Sequence, residues 1–331
     1  MPPRHLVLPA RDAARNLATE ELLFRTLAPG HPGLFLLWRN DPAVIVGRHQ
    51  YVPDEVDTAR AGAENVPVLR RITGGGAVCH DAGTLCFSWI CHDPDGAGPV
   101  FARCLAPVTA ALAELGVPAR LTGRNDLEAG GLKFSGSAQT RANGRVLCHG
   151  TLLVRADLSR LGRLLTPDAA KQRAHGVASV RARVCNLADI WAPGTTMEDL
   201  EAALLRHCAP EAETPDPATD AMAELLAERK YRCPDWNLGT IPAGARVLRR
   251  RFPWGGVELR FAVRRGRIES ARVSGDFFSD DGMEALERRL EDCPAEAAAV
   301  RAALADVPWE RLLAGCDAAS MRDFFAAAVE A

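Results

Sequence analysis

Residues 70–83 read Arg70-Arg71-Ile72-Thr73-Gly74-Gly75-Gly76-Ala77-Val78-Cys79-His80-Asp81-Ala82-Gly83. Two cations stand just ahead of three consecutive glycines. Glycine carries no Cβ, so a ligand can lie directly against the backbone with N–H groups turned toward it. Adjacent guanidinium groups add fixed charge suited to phosphate or carboxylate. The chemistry this stretch offers is the capture of an anion. A second set of polar residues runs through Gly123-Arg124-Asn125-Asp126-Leu127, Lys133-Phe134-Ser135-Gly136-Ser137-Ala138-Gln139 and Cys148-His149-Gly150-Thr151-Leu152-Leu153. Lys133, set among Phe, Ser and Gly, reads as more sheltered than a surface lysine. Taken alone, three glycines are a plain turn and a lysine is a solvated charge. Together they describe a site that gathers negative charge.

The glycine stretch is not a standard nucleotide motif. A Walker A loop needs Gly-x-x-x-x-Gly-Lys-Ser/Thr, and no lysine follows these glycines. A dinucleotide fingerprint needs Gly-x-Gly-x-x-Gly opening a helix, whereas these glycines run into a strand pattern.

The elements that must position these residues follow from local pattern. β-rich runs at Val66–Leu69 and Leu85–Ile90 make the glycines a loop between strands. Asn143-Gly144 between strand-like runs is a strong hairpin signal, and such a hairpin brings Lys133 and His149 near one another. Asp12 reads as the N-cap of a helix to about Ala28, with Leu17, Phe24 and Leu27 on one face. Strands are expected at Leu34–Trp38 and Val44–Gly47, around a turn at Asn40-Asp41-Pro42, then a helix over Asp54–Ala63. Further helices are expected over Pro99–Leu115, Leu158–Leu165, Met197–His207 and Thr219–Lys230. Strands and helices alternate irregularly, which predicts an α+β fold with a mainly antiparallel sheet. After a boundary near Asp235–Ala245 the pattern becomes β then α. Strands are expected at Arg246–Arg251, Val257–Val263 and Arg267–Val273, and helices at Met283–Leu290 and Ala295–Leu304. The expected domains are residues 1–243 and 246–331.

Composition narrows the function class. The 331 residues are 47% hydrophobic and 25% charged, ordinary for a soluble globular protein. A net charge of −2 gives no bulk attraction to nucleic acid, and the arginine runs near Arg249 and Arg264 alternate with Glu258 and Glu269 as on a solvated strand. No apolar stretch reaches the ~20 residues of a membrane span. The opening Met1-Pro2-Pro3-Arg4-His5 is too interrupted for a signal peptide. The ten cysteines form no Cys-x-x-Cys pair, so reduced thiols in a cytoplasmic protein are expected rather than zinc ligands. No metal site is expected at Cys79-His80 and Cys91-His92, which would have to converge from opposite ends of one strand.

The two constellations together resemble the lipoate–protein ligase A family. The resemblance runs from Asn16-Leu17-Ala18-Thr19-Glu20-Glu21 through Leu37-Trp38-Arg39-Asn40 and Val44-Ile45-Val46-Gly47-Arg48 to the glycine loop. It continues over Gly123-Arg124-Asn125-Asp126, Lys133 with Ser135-Gly136-Ser137-Ala138, and His149-Gly150-Thr151-Leu152-Leu153. Ser179-Val180-Arg181, Asn186-Leu187, Trp236-Asn237-Leu238-Gly239 and Trp254-Gly255-Gly256-Val257-Glu258-Leu259 complete it in order, over nearly the whole chain. The resemblance implies a biotin/lipoate ligase fold with a C-terminal accessory domain. It implies ATP-dependent activation of lipoate to lipoyl-AMP, then transfer to a lysine of lipoyl domains in 2-oxoacid dehydrogenase E2 subunits and glycine cleavage H protein.

Site residues follow from the same resemblance. Lys133 is the expected catalytic cation, bridging the lipoate carboxylate and the α-phosphate. Arg71, Gly74, Gly75, Gly76, Ala77, Val78, Cys79, Asn125, Asp126 and Lys133 are expected around ATP, with Asp126 also toward Mg²⁺. Leu17, Trp38, Arg70, Val78, His80, Lys133 and His149 are expected around lipoate. Cysteine-dependent octanoyltransferases share the fold, but Thr122–Leu132 holds no cysteine. Biotin ligases share it too, with a Gly-Arg-Gly-Arg motif absent here. Retention of Lys133, Arg71 and the glycines speaks against a non-catalytic binding protein. The family often carries an aromatic residue at Cys79 and a histidine at Cys148, which makes both positions candidates for shaping the pocket.

Overall fold

The structure is a computed structural model that describes residues 2–93, 100–123, 125–166, 184–214, 216–239, 244–280 and 282–330. Arg124, Pro99 and Ser179-Val180-Arg181, all named above, lie outside these.

Among the described residues eleven strands build the N-terminal lobe: β1 (Arg4–Val7), β2 (Leu34–Trp38), β3 (Ala43–Val46), β4 (Val68–Arg70), β5 (Val78–His80), β6 (Thr84–His92), β7 (Arg120–Thr122), β8 (Asp126–Ala129), β9 (Leu132–Ala142), β10 (Arg145–Leu153) and β11 (Glu211–Ala212). Eight form one sheet in the order β11-β1-β2-β6-β10-β9-β8-β7. Only the β1 pairings with β2 and β11 are parallel, so the sheet is mainly antiparallel as expected. Side chains alternate across its faces with period two. Phe35 and Leu37 of β2 with Phe87 and Trp89 of β6 pack under the helices Phe101–Glu114 and Met197–Cys208. Leu34, Leu36 and Trp38 with Cys86 and Ile90 face the helix Ala13–Thr26. Both faces are covered, so these strands read as continuous apolar runs rather than alternating ones.

The hairpin β9–β10 turns on Asn143 and Gly144, with φ of 51° and 70°. Positive φ at both central residues is the demand that Asn-Gly meets best. Asp12 caps the first helix, accepting from the Arg15 N–H at 3.1 Å. The helix expected over Asp54–Ala63 is two short ones, Val52–Glu55 and Thr58–Ala63. Asp57 starts the second by accepting from the Arg60 N–H at 2.9 Å.

β3 also anchors a small sheet in the order β4-β3-β5, and the glycine loop joins β4 to β5 beneath it. The C-terminal lobe has its own core. β12 (Arg246–Phe252), β13 (Gly255–Arg264) and β14 (Arg267–Gly275) form an antiparallel sheet. Leu259, Phe261 and Val273 pack against Leu286, Val300, Phe324 and Phe325. The closing helix Ala318–Glu330 adds to the elements expected from sequence.

The lobes meet at the glycine loop. Phe278 is buried in the core of the N-terminal lobe, with its ring 5.7 Å from that of Phe101. Phe277 stacks on His49 at 4.9 Å, and its carbonyl accepts from the Gly75 N–H at 3.3 Å. A Cβ on Gly74 would lie 2.2 Å from that same carbonyl oxygen. On the other side, a Cβ on Gly47 would lie 2.1 Å from the Gly75 carbonyl. The loop is thus held between two backbones, and glycine is the residue that fits. Among the described residues no helix is long and apolar enough to cross a membrane.

Candidate active site

A narrow cavity of about 140 Å³ opens where β9 and β10 face the glycine loop and the first helix. Leu17, Trp38, Arg71, Gly75, Gly76, Ala77, Val78, His80, Asn125, Lys133 and His149 all line it. Eleven residues expected from sequence therefore converge on one space. The hairpin register places His149 opposite Ala138, so the shared cavity and not a direct pairing brings it toward Lys133.

Four expected residues lie elsewhere. Arg70 does not line the cavity, and its guanidinium is consumed by backbone. It donates to the carbonyls of Trp236, Gly47, Arg48, Gln50 and Asn237 at 2.7–2.9 Å. Burial pushes its pKa down to about 10. Gly74 faces Phe277, as described. Cys79 packs with the small sheet beside Val44 and Val46, and burial raises its thiol to about 12. Asp126 stands at the mouth, where its Oδ1 accepts from the Lys133 ammonium at 2.8 Å. Cys148 sits in the core under the helix Phe101–Glu114, away from the cavity.

Lys133 is less sheltered than its sequence neighbours suggest. Its side chain is 38% exposed and that of Asp126 32%, so the pair sits at a wet entrance. Gly136 makes room for it: a Cβ there would come within 3.1 Å of the Lys133 Nζ. Asn125 clamps the same strand, its Nδ2 donating to the Ser137 carbonyl. The Ser137 hydroxyl, buried on the cavity wall, has no partner among the described residues.

Arg71 lines the cavity, yet it also builds the loop. Its Nε donates to the Thr73 hydroxyl at 3.0 Å, Nη1 to the Ile45 carbonyl at 3.1 Å, and Nη2 to the Gly74 and Gly76 carbonyls at 2.7 and 2.8 Å. That leaves one of the five N–H groups a guanidinium carries. Desolvation lowers its pKa to about 10, still well above neutrality, so it remains a fixed cation.

From Arg71 a buried hydrogen-bond chain crosses behind the cavity. Thr73, accepting from Arg71, turns its own proton to the His149 Nε2 at 2.8 Å. The network therefore assigns the His149 proton to Nδ1, which donates to the Glu20 Oε1 at 2.8 Å. The Ser88 hydroxyl donates to the same oxygen and accepts from the Trp38 Nε1–H at 3.1 Å. From Thr73 to Trp38 each donor in this chain finds an acceptor, which fixes the orientation of His149. His80 is fixed similarly: the Asn40 Nδ2 donates to its Nδ1 at 2.9 Å, and burial with Arg71 nearby lowers its pKa to about 3.

Glu20, Thr73 and Ser88 escaped the sequence reading. Glu20 lies four residues after Asn16 and three after Leu17, and all three are buried. That i, i+3, i+4 spacing was the available signal. Ser88 and Trp38 meet only through strand pairing, which no local pattern encodes.

Residues 12–209 match the model of the lipoyl protein ligase A/B catalytic domain, and residues 242–325 that of the bacterial lipoate protein ligase C-terminus. A Staphylococcus aureus strain Mu50 protein, lipoate–protein ligase 1, is 37% identical over 286 residues, covering 85% of this chain and 87% of its own. The P. falciparum protein LipL1, solved with lipoate, superposes with a TM-score of 0.77 over 92% of this chain and 94% of its own, at 24% identity. A lipoate–protein ligase A solved with ATP is 28% identical, with a TM-score of 0.63 over 72% of this chain and 99% of its own. The fold is that of a protein acyl-ligase of the lipoate class. The chain belongs to the lipoate–protein ligase family.

Proposed function

We propose that the protein activates lipoate with ATP to lipoyl-AMP and passes the lipoyl group to a lysine of an acceptor lipoyl domain. The observation that carries this reading is the convergence of Lys133, the Gly75–Val78 backbone and the apolar wall Leu17, Trp38, Ile45 and Val78 on one cavity. The apolar wall suits an acyl chain with a ring at its end. The carboxylate would then meet the α-phosphate at the mouth.

Joining two anions is opposed by charge. The carboxylate oxygen attacks the α-phosphorus and pyrophosphate departs with its electron pair. Lys133, a compact cation at the mouth, offsets negative charge on both groups and orients them. To do so it exchanges its contact with Asp126 for contacts with the substrates. In the second step the acceptor amine attacks the acyl carbonyl and AMP leaves. His149 serves as wall rather than base, because its Nε2 lone pair is committed to Thr73. His80 is a weak base for the same step, given its lowered pKa. The Ser137 hydroxyl is free to bind a ligand oxygen.

A divalent ion fits at Asp126. Among the described residues no three metal-ligating side chains cluster. A single carboxylate suits Mg²⁺ that takes its remaining ligands from phosphate oxygens and water. Acceptors of this reading are lipoyl domains of 2-oxoacid dehydrogenase E2 subunits and glycine cleavage H protein. The bipartite Thermoplasma acidophilum lipoate protein ligase, 28% identical over 73% of this chain, is described together with its E2 lipoyl domain as one lipoylation system. Ten unpaired cysteines favour a reducing, cytoplasmic setting.

Thiol chemistry is disfavoured. Cys86, on the cavity wall, is raised well above its ordinary pKa by burial and by Glu20. Cys148 is raised by its hydrogen bond with Cys104 and by burial. Neither is poised as a thiolate. Incubation with ATP, Mg²⁺ and lipoate, followed by mass spectrometry for lipoyl-AMP, tests the proposal. Octanoyl transfer from a carrier-protein thioester without nucleotide, and no adenylate, would replace it with the transferase reading.

A further inference from the structure

A second cleft, of about 580 Å³, opens between the two lobes and shares no lining residue with the active cavity. Its catalytic-lobe wall is the loop Arg48–Tyr51 after β3, and its opposite wall includes Arg272, Glu287 and Arg288. Three groups on the catalytic-lobe wall lack partners. Gln50, 2% exposed, accepts the Gly47 N–H on its Oε1 at 2.8 Å. A backbone N–H only donates, so the remaining group is the amide NH₂, a pure donor. Its Nε2 is buried with no partner among the described residues. The Nε2 of His49, 8% exposed, is likewise buried and unpartnered. Arg48, half-buried beside them, makes no side-chain hydrogen bond or ion pair among the described residues, although its neighbour Arg70 is saturated.

Of the other cations around the cleft, Arg260 and Arg272 are occupied, and Arg288 stands exposed to water. Arg260 is held by Glu258 and Asp54 and lies 3.9 Å over the Tyr51 ring. Arg272 is paired with Glu287, whose other oxygen accepts the Val273 N–H. The rim carboxylates Asp235, Glu284 and Glu291 are exposed to water. What is unmet in the buried part is therefore the Gln50 amide donor, with the Arg48 guanidinium beside it unpaired and the Glu284 carboxylate near it at the rim. A buried unsatisfied donor costs about 1–3 kcal/mol. The group that relieves this cost must bring acceptor oxygens and negative charge.

We infer that the cleft is a binding site for a small oxyanion of the phosphate class, held by Arg48 and the Gln50 amide at the joint between the lobes. The site is independent of the reaction proposed above. Bound there, the anion would tie the loop that backs the glycine turn to the C-terminal lobe, since the His49 carbonyl already accepts from Gly275 and its ring stacks on Phe277.

Isothermal titration of the full-length protein with inorganic pyrophosphate, inorganic phosphate and succinate tests this. Arg48→Gln removes the cation from a half-buried position, and Gln50→Glu keeps the oxygen that accepts from Gly47 while replacing the donor. Lys133→Ala reports on the active cavity. Loss of one charge-assisted contact is expected to raise the Kd for pyrophosphate or phosphate roughly 10- to 100-fold in Arg48→Gln and Gln50→Glu. Lys133→Ala should leave that site unchanged. Should Gln50→Glu fail to fold, Arg48→Gln decides alone. Binding lost in Lys133→Ala but kept in Arg48→Gln would put the ion in the active cavity and overturn the inference. Succinate binding without either phosphate would overturn the ligand class. Absence of binding by all three would mean the unpaired donors serve only water, and the site would fall.

Discussion

Gly74→Ala is the sharpest perturbation the structure offers, because it replaces one hydrogen with a methyl group where two lobes touch. The new Cβ would stand 2.2 Å from the Phe277 carbonyl oxygen and 3.1 Å from the Phe278 Cα. Ordinary contact is about 3.5 Å, so the backbones must part by more than about 1 Å. The loop cannot retreat, since Gly47 already lies against Gly75 from behind. Overpacking of this kind costs about 1–3 kcal/mol. Separation also breaks the hydrogen bond from Gly75 to Phe277, worth about 1 kcal/mol. The total, about 2–4 kcal/mol, shifts the docked lobe arrangement by roughly 30- to 1000-fold.

The assay is hydrogen exchange at two amides that cross the joint, Gly75 N–H to Phe277 and Gly275 N–H to His49. Protection at both should fall by that factor in Gly74→Ala, while amides of β6 and β10 stay unchanged. Gly62→Ala is the control. It lies in the helix Thr58–Ala63, and an added Cβ meets nothing within 4 Å. There the substitution should be neutral or stabilising by up to about 1 kcal/mol. Wild-type protection at Gly75 and Gly275 in a folded Gly74→Ala variant would refute the account of the glycine as a lobe contact.

Lys133→Ala should cut adenylate formation by about 10² or more with the fold intact, since a half-exposed lysine anchors no core; near-normal kcat would remove its bridging role. His49 and His80 both have pKa values lowered to about 3 by burial and neighbouring arginines. The unfolded chain takes up their protons near pH 6.5, the folded one only near 3, so stability is full above about 6.5 and falls as pH drops through that window. The slope should reach about 1.4 kcal/mol per pH unit for each histidine, and urea midpoints from pH 4 to 7 that show no fall beyond that of a His80→Asn variant would contradict it. Gly75→Val should weaken ATP and lipoate binding together, because φ is 89° there and a Cβ would press on Arg71 and the Phe278 ring at 3.1 Å; unchanged calorimetric affinity for both would assign the loop a structural role only. Removal of residues 246–331 should leave the active cavity residues in place but strip Phe277 and Phe278 from the loop and core. We expect slow adenylation and retained transfer from added lipoyl-AMP. Adenylation at the full-length rate would show that the lobe takes no part in activation.

Much of this architecture was legible from local pattern. The Asp12 cap, the Asn143-Gly144 hairpin and the apolar strands each state their structure within a few residues, because capping, φ and burial act locally. What remained hidden depends on long-range contact. Arg70 and Arg71 look alike in sequence, yet one ends β4 against backbone carbonyls near residue 236 and the other enters the cavity. Lys133 reads as sheltered from its neighbours in sequence, but the β8–β9 pairing sets it beside Asp126 at a wet mouth. Glu20, Thr73 and Ser88 form one chain with His149 only because the first helix, the loop and two strands pack together.

The three glycines show most plainly why spacing alone misassigns roles. A run of glycines invites one explanation, close approach of a ligand. Here neighbouring members answer to different partners. Gly74 yields to the Phe277 carbonyl, 203 positions along the chain, and Gly75 supplies the positive φ that turns the strand while giving its N–H to the same carbonyl. Gly76 lies on the cavity wall with Ala77 and Val78. Arg71 then binds the carbonyls of Gly74 and Gly76, so lobe contact, turn and cavity wall share one cation. A change that moves the C-terminal lobe must therefore move the atoms proposed to line the nucleotide.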